Sequence, residues 1–240
     1  MPERIVHADA DALAEAAAAR LASTMRTAVA HRGAFHVALA GGRTPEALYR
    51  RLAAPDYADL PWDHCHVFFG DERCVPPDHP DSNYRMARQA LLDHVPVPHA
   101  QVHRMAGEKE PRTAATAYSE RLRGALPAPD GVPVLDLVLL GLGGDGHVAS
   151  LFPDTAALEA PEPAAANWVP SLEAWRLTLT YSVLNAGRAL WVLAAGEGKA
   201  AVVARALGPL TEPPLPVQRL APRGEYLWLL DRAAAAEVAP

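Results

Sequence analysis

The segment Leu135-Asp-Leu-Val-Leu-Leu-Gly-Leu-Gly-Gly-Asp-Gly-His147 joins an apolar run to a turn of glycine, aspartate and histidine. The apolar run predicts a strand at residues 135–140 that is buried on both faces, as in a parallel sheet. The turn that follows then lies at the carboxyl end of this strand. In an open α/β sheet, ligands bind at that edge.

Strand-like segments alternate with helix-like segments along the rest of the chain. The pattern predicts further strands at residues 4–8, 34–40, 64–69, 102–105, 175–180, 189–194 and 226–230. Helices are predicted at residues 9–31, 45–53, 82–93, 112–124 and 199–207. The alternation predicts an α/β fold with a mostly parallel, doubly wound sheet and helices on both faces. Because the 240 residues contain no low-complexity linker, we expect one domain over residues 1–240.

The composition argues against several classes of partner. Half of the residues are hydrophobic, yet no apolar run reaches the roughly 20 residues that span a bilayer. A formal net charge of −6 disfavours nucleic acid as a partner. The amino-terminal residues lack a signal-peptide pattern, so we expect a cytoplasmic protein. His64 and His66 flank Cys65, but nothing nearby completes a ligand set, so we expect no metal site.

Four predicted strands end in turns rich in glycine or charge. If these strands are parallel neighbours, their turns share one edge of the sheet and can line one pocket. This convergence is a stronger indication of a site than any single turn. The turns are Ala40-Gly-Gly-Arg-Thr-Pro45, Phe69-Gly-Asp-Glu-Arg73, Leu140-Gly-Leu-Gly-Gly-Asp-Gly-His147 and Ala195-Gly-Glu-Gly-Lys199.

The first of these turns has the features of an anion site. Gly41 and Gly42 allow backbone N–H groups to approach an oxyanion, and the following helix adds a favourable dipole. An ordinary tight turn with Thr44 as the N-cap is the alternative. Lys199, one of only two lysines in the chain, favours the anion site, because a cation at a helix start is disfavoured unless an anion binds there.

The turn at residues 141–146 also matches the G-x-G-x-x-G fingerprint of dinucleotide-binding folds. That fingerprint requires a following helix and then a strand that ends in an acidic residue about 20 positions later. Here Phe152-Pro-Asp154 interrupts the chain early, and residues 160–166 do not form such a strand. The sequence therefore disfavours a dinucleotide site.

Two strand ends carry side chains suited to proton transfer. His147 can accept a proton from water near neutral pH, and Asp145 can orient the imidazole or the substrate. Asp71 and Glu72 can orient sugar hydroxyls, while Arg73 can stabilise an oxyanion. Alternatively, Asp145 only caps the turn and His147 is a polar loop residue, and residues 71–73 belong to a salt-bridged loop.

The sequence resembles the glucosamine-6-phosphate isomerase/6-phosphogluconolactonase superfamily, and specifically its lactonase branch. The matching segments occur in family order from residue 39 to residue 199. They are Leu39-Ala-Gly-Gly-Arg-Thr-Pro45, Phe69-Gly-Asp-Glu-Arg73, Asp81-Ser-Asn-Tyr84, Gly141-Leu-Gly-Gly-Asp-Gly-His147, Ala149-Ser-Leu-Phe-Pro153, Arg176-Leu-Thr-Leu-Thr180, Leu184-Asn185 and Gly198-Lys199.

This resemblance implies a modified doubly wound fold, no cofactor and hydrolysis of a phosphorylated sugar lactone in the pentose phosphate pathway. It also implies His147 as the general base. The sugar pocket is then lined by Asp71, Glu72, Arg73, Asp145, Asn83 and Gly143. The phosphate is held by Gly41, Gly42, Thr44 and Lys199, with Arg176 helping and Arg43, where many relatives have serine, as a further cation. We expect a monomer or a weak homodimer.

The deaminase branch of the same superfamily is the main alternative. The resemblance places a glutamate of that branch five positions after the histidine, where this chain has Phe152. Arg73 also stands where the deaminases tend to have tyrosine. Two further alternatives are a sugar-phosphate sensor and a nicotinamide dehydrogenase. The sensor would bind its ligand without turnover, and the dehydrogenase would bind a dinucleotide.

Overall fold

The computed structural model describes residues 2–238 and contains two sheets. The strands are β1 (Glu3–His7), β2 (Phe35–Leu39), β3 (Cys65–Phe69), β4 (Asp71–Arg73), β5 (Leu137–Leu140), β6 (Ala164–Val169), β7 (Ala174–Leu179), β8 (Ala189–Ala194) and β9 (Glu225–Asp231). The α-helices are α1 (Ala10–Arg32), α2 (Arg43–Leu52), α3 (Asn83–Ala87), α4 (Pro111–Ala125), α5 (Tyr181–Ala186) and α6 (Ala200–Leu207).

The larger sheet has six strands in the order β1-β9-β8-β5-β2-β3, and every pairing is parallel. From β2 the chain proceeds to β3 at one edge, whereas from β5 it proceeds through β8 and β9 toward the other edge. The connections therefore diverge between β2 and β5, which creates a crevice beyond their carboxyl ends. The mostly parallel α/β fold predicted from the sequence is confirmed.

The core forms where apolar strands and the apolar face of α1 meet. All residues of β5 and β8 are buried, as expected for central parallel strands. Helix α1 begins where the Asp9 side chain accepts a hydrogen bond from the Ala12 N–H at 2.8 Å. It ends at Gly33, whose φ of +78° is the left-handed conformation that glycine adopts readily. No helix within residues 2–238 is long and apolar enough to span a bilayer.

The smaller sheet is antiparallel, in the order β4-β7-β6. The strand predicted at residues 175–180 belongs to this sheet. Strands β4 and β6 and helix α5 were not predicted from the sequence. Strand β6 begins at Ala164 but ends at Val169, so it is not the acid-terminated strand that a dinucleotide site requires. Elements of three to six residues are too short for a hydrophobic period to be recognised in the sequence. The two short strands depend on pairing with their partner strands.

Three predicted element boundaries were also wrong. In place of a strand at residues 102–105, Val102 forms a single isolated bridge to Val67. Strand β5 begins at Leu137, and just before it the buried carboxylate of Asp136 accepts the backbone N–H of His36 at 2.8 Å. Helix α2 begins at Arg43, with Gly42 as its N-cap, so Thr44 is not the N-cap.

Candidate active site

The four turns identified in the sequence line one cleft of about 710 Å³. Because β3, β2, β5 and β8 are consecutive parallel strands of the larger sheet, their carboxyl ends face the same edge. The cleft therefore lies over the point where the connections diverge. The predicted site residues that line it are Gly41, Gly42, Arg43, Thr44, Asp71, Arg73, Gly143, His147 and Lys199.

The amino terminus of α2 opens into this cleft. Gly42 has a φ of +100° and no side chain, so no side-chain cap occupies the first turn of the helix. The N–H groups of Arg43 and Thr44 belong to the first turn, where an α-helix has no intrahelical acceptors. Free N–H groups and the positive end of the helix dipole make this turn suited to an anion.

Lys199 reaches the same cleft from the opposite side. It closes a 3₁₀ turn (Glu197–Lys199) directly before α6, and its Nζ donates a hydrogen bond to the Leu142 carbonyl at 2.6 Å. The turn is anchored because the buried carboxylate of Asp231 accepts the Gly196 N–H at 2.9 Å. An ammonium group is thus held beside the glycine turn that follows β5.

His147 and Asp145 form a hydrogen-bonded pair at the end of β5. His147 Nδ1 lies 2.6 Å from Asp145 Oδ1, which also accepts the His147 backbone N–H at 3.1 Å. Since an ionised carboxylate only accepts hydrogen bonds, Nδ1 carries a proton, and in the neutral imidazole Nε2 is then the nitrogen with the free lone pair. Burial by itself would raise the pKa of Asp145, but the hydrogen bond and charge of His147 outweigh it and lower that pKa.

Gly143 makes room for this pair. A Cβ atom at position 143 would lie 2.1 Å from His147 Nδ1 and 2.7 Å from Asp145 Oδ1. The Gly143 N–H donates to the His147 carbonyl at 2.9 Å. Gly143 therefore lines the cleft as predicted, but its N–H is already engaged within the turn.

Asp71 presents a fixed carboxylate to the cleft. Its Oδ2 accepts a hydrogen bond from Ser150 Oγ at 2.7 Å, and its Oδ1 accepts one from Asn83 Nδ2 at 3.1 Å. Arg73, two residues later in β4, also lines the cleft, and its Nη1 donates to the Asp81 carbonyl at 2.6 Å. Both side chains share a face because alternate residues of a strand point the same way.

Glu72 does not face the cleft, which corrects its prediction as a sugar ligand. It is 2% exposed, and its carboxylate accepts the N–H groups of Arg73, Asn83 and Tyr84 and the Ser82 hydroxyl. Burial raises the pKa of Glu72, and these four donors oppose that rise. Glu72 thus anchors the start of α3.

Asn83, Asp145 and Arg176 do not form the cleft wall, which corrects their prediction as pocket-lining residues. Asn83 is 2% exposed, and its amide lies between the Asp71 carboxylate and Gly41, where a Cβ atom would be 2.0 Å from Asn83 Oδ1. Arg176 on β7 lies directly opposite Arg73 on β4 in the antiparallel register. Burial and the charge of Arg73 lower the pKa of Arg176.

Two residues of the loop that follows His147 were not among the predicted site residues, although Phe152 was noted where the deaminase branch has a glutamate. The ring of Phe152 stacks on the imidazole with centroids 4.0 Å apart, and Ser150 holds Asp71. Both lie in the segment Ala149-Ser-Leu-Phe-Pro153 that carries part of the family resemblance, and this was the one signal that pointed to them. Within residues 2–238, no cluster of three or more histidine, cysteine or acidic side chains is suited to hold a metal ion.

Comparisons with known proteins agree on one family. The family described as glucosamine-6-phosphate isomerases/6-phosphogluconolactonase matches residues 8–228. A 6-phosphogluconolactonase of Nostoc sp. is 42% identical over 215 residues, covering 88% of each chain. A human 6-phosphogluconolactonase is 40% identical over 229 residues, covering 93% of this chain and 87% of the human one.

Solved structures show the same relationship. The 6-phosphogluconolactonase from Trypanosoma cruzi superposes with a TM-score of 0.85 at 29% identity, covering all of this chain and 98% of the other. A monomeric glucosamine-6-phosphate deaminase superposes with a TM-score of 0.80 at 21% identity, covering 98% of this chain and 99% of the other, which shows the shared fold.

Proposed function

Because this chain belongs to the family of glucosamine-6-phosphate isomerases and 6-phosphogluconolactonases, we propose that it hydrolyses 6-phospho-D-glucono-1,5-lactone with His147 as the general base. The product is 6-phospho-D-gluconate, formed in the oxidative pentose phosphate pathway. One observation supports this mechanism most strongly. His147, held by Asp145, and the open amino terminus of α2 line the same cleft, so a base and an anion site serve one small ligand.

The phosphate of the substrate binds at the amino terminus of α2. The N–H groups of Arg43 and Thr44 and the Nζ of Lys199 are the donors, and Gly41 and Gly42 permit close approach. Arg43 adds a second cation. This anchoring places the lactone ring between the turn after β3 and the turn after β5, where Asp71 accepts hydrogen bonds from sugar hydroxyls.

His147 then activates water. Nε2 removes a proton as the water oxygen attacks the C1 carbonyl, and Asp145 stabilises the resulting imidazolium. The tetrahedral oxyanion is stabilised by Arg73 or by the N–H of Gly144, since the N–H of Gly143 is engaged. The imidazolium returns its proton to the ring oxygen as the C1–O bond breaks, which yields a carboxylic acid that ionises and a free hydroxyl.

Phe152 favours hydrolysis over sugar isomerisation. It stacks on the imidazole of His147 and is 8% exposed. In the deaminase branch a glutamate at this position completes the acid–base relay for ring opening, whereas an aromatic ring transfers no protons. The resemblance to a deaminase at 21% identity concerns the fold.

We also propose a cytoplasmic location, one domain over residues 1–240, and a monomer or a weak homodimer. The free thiols of Cys65 and Cys74 support a reducing compartment. The continuous hydrophobic cluster that runs from α1 to β9 supports a single folding unit.

The test of this function measures lactone disappearance, with the lactone made in situ by glucose-6-phosphate dehydrogenase. Wild type is compared with His147→Ala and with an enzyme-free reaction that sets the spontaneous rate. General-base catalysis contributes about 10²–10⁴-fold, so we expect His147→Ala to lose most of the acceleration and to retain affinity for 6-phosphogluconate. A wild-type rate equal to the spontaneous rate would exclude the lactonase, whereas an active His147→Ala would exclude only the base.

A further inference from the structure

A chain of buried polar side chains lies behind the cleft and connects the loop after β5 to the smaller sheet. Its members are between 0% and 2% exposed: Asn83, Ser150, Asn167 and Thr178. Buried polar groups cost stability unless they are paired, so a connected set of this kind constrains the positions of its members.

Ser150 is the member that contacts the cleft. Its Oγ donates to Asp71 Oδ2 at 2.7 Å, its backbone N–H donates to Thr178 Oγ1 at 3.1 Å, and its carbonyl accepts from Asn167 Nδ2 at 2.9 Å. All three polar groups of Ser150 are therefore satisfied by different elements. The serine hydroxyl is fixed in direction because Thr178 and Asn167 hold its backbone from both sides.

The backbone before Ser150 has an unusual conformation. Ala149 has a φ of +48°, which a residue with a Cβ adopts rarely and at a cost in conformational energy. The bridge between Val148 and Leu151 closes this short turn. Such a conformation persists where the surroundings over-determine it, and the bonds of Ser150 supply that constraint.

From this geometry we propose that Ser150 is a positioning residue, coupling the loop that carries His147 to the carboxylate of Asp71. Each oxygen of an ionised carboxylate accepts about two hydrogen bonds. Ser150 and Asn83 use one position on each oxygen of Asp71, and the remaining positions are available to sugar hydroxyls. This inference rests on the proposed function, since it makes the general base and the sugar-orienting acid one rigid unit.

The test compares Ser150→Ala with Ser119→Ala. Ser119 is equally buried, and its hydroxyl bridges α4 and β6, where it donates to the Ala164 carbonyl and accepts the Ala164 N–H. Both substitutions remove buried hydrogen bonds, but only Ser150 contacts a residue of the cleft. Ser150→Cys, which keeps the size and a weak S–H donor, accompanies Ser150→Ala in case the latter lowers the folded fraction.

Two measurements separate positioning from general destabilisation. We expect Ser150→Ala to lower kcat/KM and the affinity for 6-phosphogluconate by about tenfold, as for a lost hydrogen bond to an ionised group. Affinity for inorganic phosphate, which occupies only the anion site, should remain unchanged. Ser119→Ala should leave all three values at the wild-type level.

A double-mutant comparison identifies the partner. In an Asp71→Ala background, Ser150→Ala should lower kcat/KM by less than about twofold, because the contact it serves is already lost. Wild-type kcat/KM in both Ser150 variants, or an equal loss with and without Asp71, would overturn the proposal. If wild type does not accelerate hydrolysis, the proposed function fails instead, and the affinities for 6-phosphogluconate and phosphate still test Ser150.

Discussion

At the scale of single residues, three neighbours constrain the imidazole of His147. Asp145 holds Nδ1 at 2.6 Å, the ring of Phe152 covers one face at 4.0 Å, and Gly143, which has no Cβ, leaves the space that Nδ1 occupies. Together they leave Nε2 as the reactive atom. A general base is effective only within hydrogen-bond reach of the proton it removes. The rate of the proposed hydrolysis therefore depends on this placement of the imidazole.

Substitution of Gly143 therefore tests the placement of the base without removing it. A Cβ at position 143 would lie 2.1 Å from His147 Nδ1, so Gly143→Ala must displace the imidazole. We expect kcat to fall by at least about 10²-fold, the lower limit for loss of a general base.

Gly144→Ala is the matched control, because nothing lies within 4 Å of a Cβ at position 144. We expect it to retain most of the activity, because alanine keeps the backbone N–H that is available to the oxyanion. If Gly143→Ala were as active as Gly144→Ala in the lactone assay, the turn would have accommodated the new Cβ without moving the imidazole.

At the scale of elements, two helix starts form the proposed phosphate site. Helix α2 presents uncapped N–H groups because Gly42, in a conformation of φ +100° and ψ 166°, carries no side chain. The turn before α6 provides Lys199. The two starts lie on opposite sides of β5, so the site exists only when both flanking crossovers are formed.

Removal of the Lys199 ammonium should weaken substrate binding more than turnover. Lys199→Ala removes one charge-assisted donor to the phosphate, so we expect KM to rise roughly tenfold with a smaller change in kcat. Steady-state kinetics with the in situ lactone measure both values. Lys109→Ala, which removes the only other lysine from an exposed turn, should leave KM unchanged. An unchanged KM in Lys199→Ala would remove this residue from the phosphate site.

At the scale of the whole molecule, a row of histidines crosses the sheet near its amino end, opposite the cleft. The rings of His36 and His66 on β2 and β3 are 5.0 Å apart, and His66 Nδ1 lies 3.3 Å from His103 Nε2. Burial lowers the pKa of His103 to about 4, with further lowering by His66, Arg121 and His36. Burial and His36 likewise lower the pKa of His66.

These shifts predict that the protein loses stability as the pH falls from about 6.5 toward 4. In that window both histidines become protonated in the unfolded chain near their ordinary pKa, whereas in the folded protein each binds its proton only at a lower pH. The unfolded state then binds more protons, so the free energy of unfolding falls with pH by up to about 1.4 kcal/mol per unit for each proton.

Urea unfolding at pH 7.5, 6 and 5 measures this slope. His103→Gln should show a smaller decline than wild type between pH 7.5 and 5, because one proton-linked group is gone. His99→Gln, a substitution of an exposed histidine nearby, should decline like wild type. Identical slopes for wild type and His103→Gln would show that His103 does not contribute to the pH dependence.

Residues 71–73 show how far sequence reasoning reached and where it stopped. The sequence placed Asp71, Glu72 and Arg73 together at the end of a predicted strand, and all three were expected in the sugar pocket. The structure continues them as β4, where alternation sends Asp71 and Arg73 toward the cleft and Glu72 inward. A three-residue strand has no readable periodicity, so only its pairing with β7 decides which side chains face the ligand.

The amino-acid sequence by itself determined the parallel sheet, the four turns at its carboxyl edge and the residues His147, Asp145, Thr44 and Lys199 within them. These features are local, because apolar runs, glycines and caps act on neighbouring residues. Only the tertiary structure decided the placement of Arg176 beside Arg73, of Asn83 against Gly41, and of Ser150 on Asp71. Each of these contacts joins segments far apart in the chain, and their proximity arises only when the two sheets and their crossovers pack together.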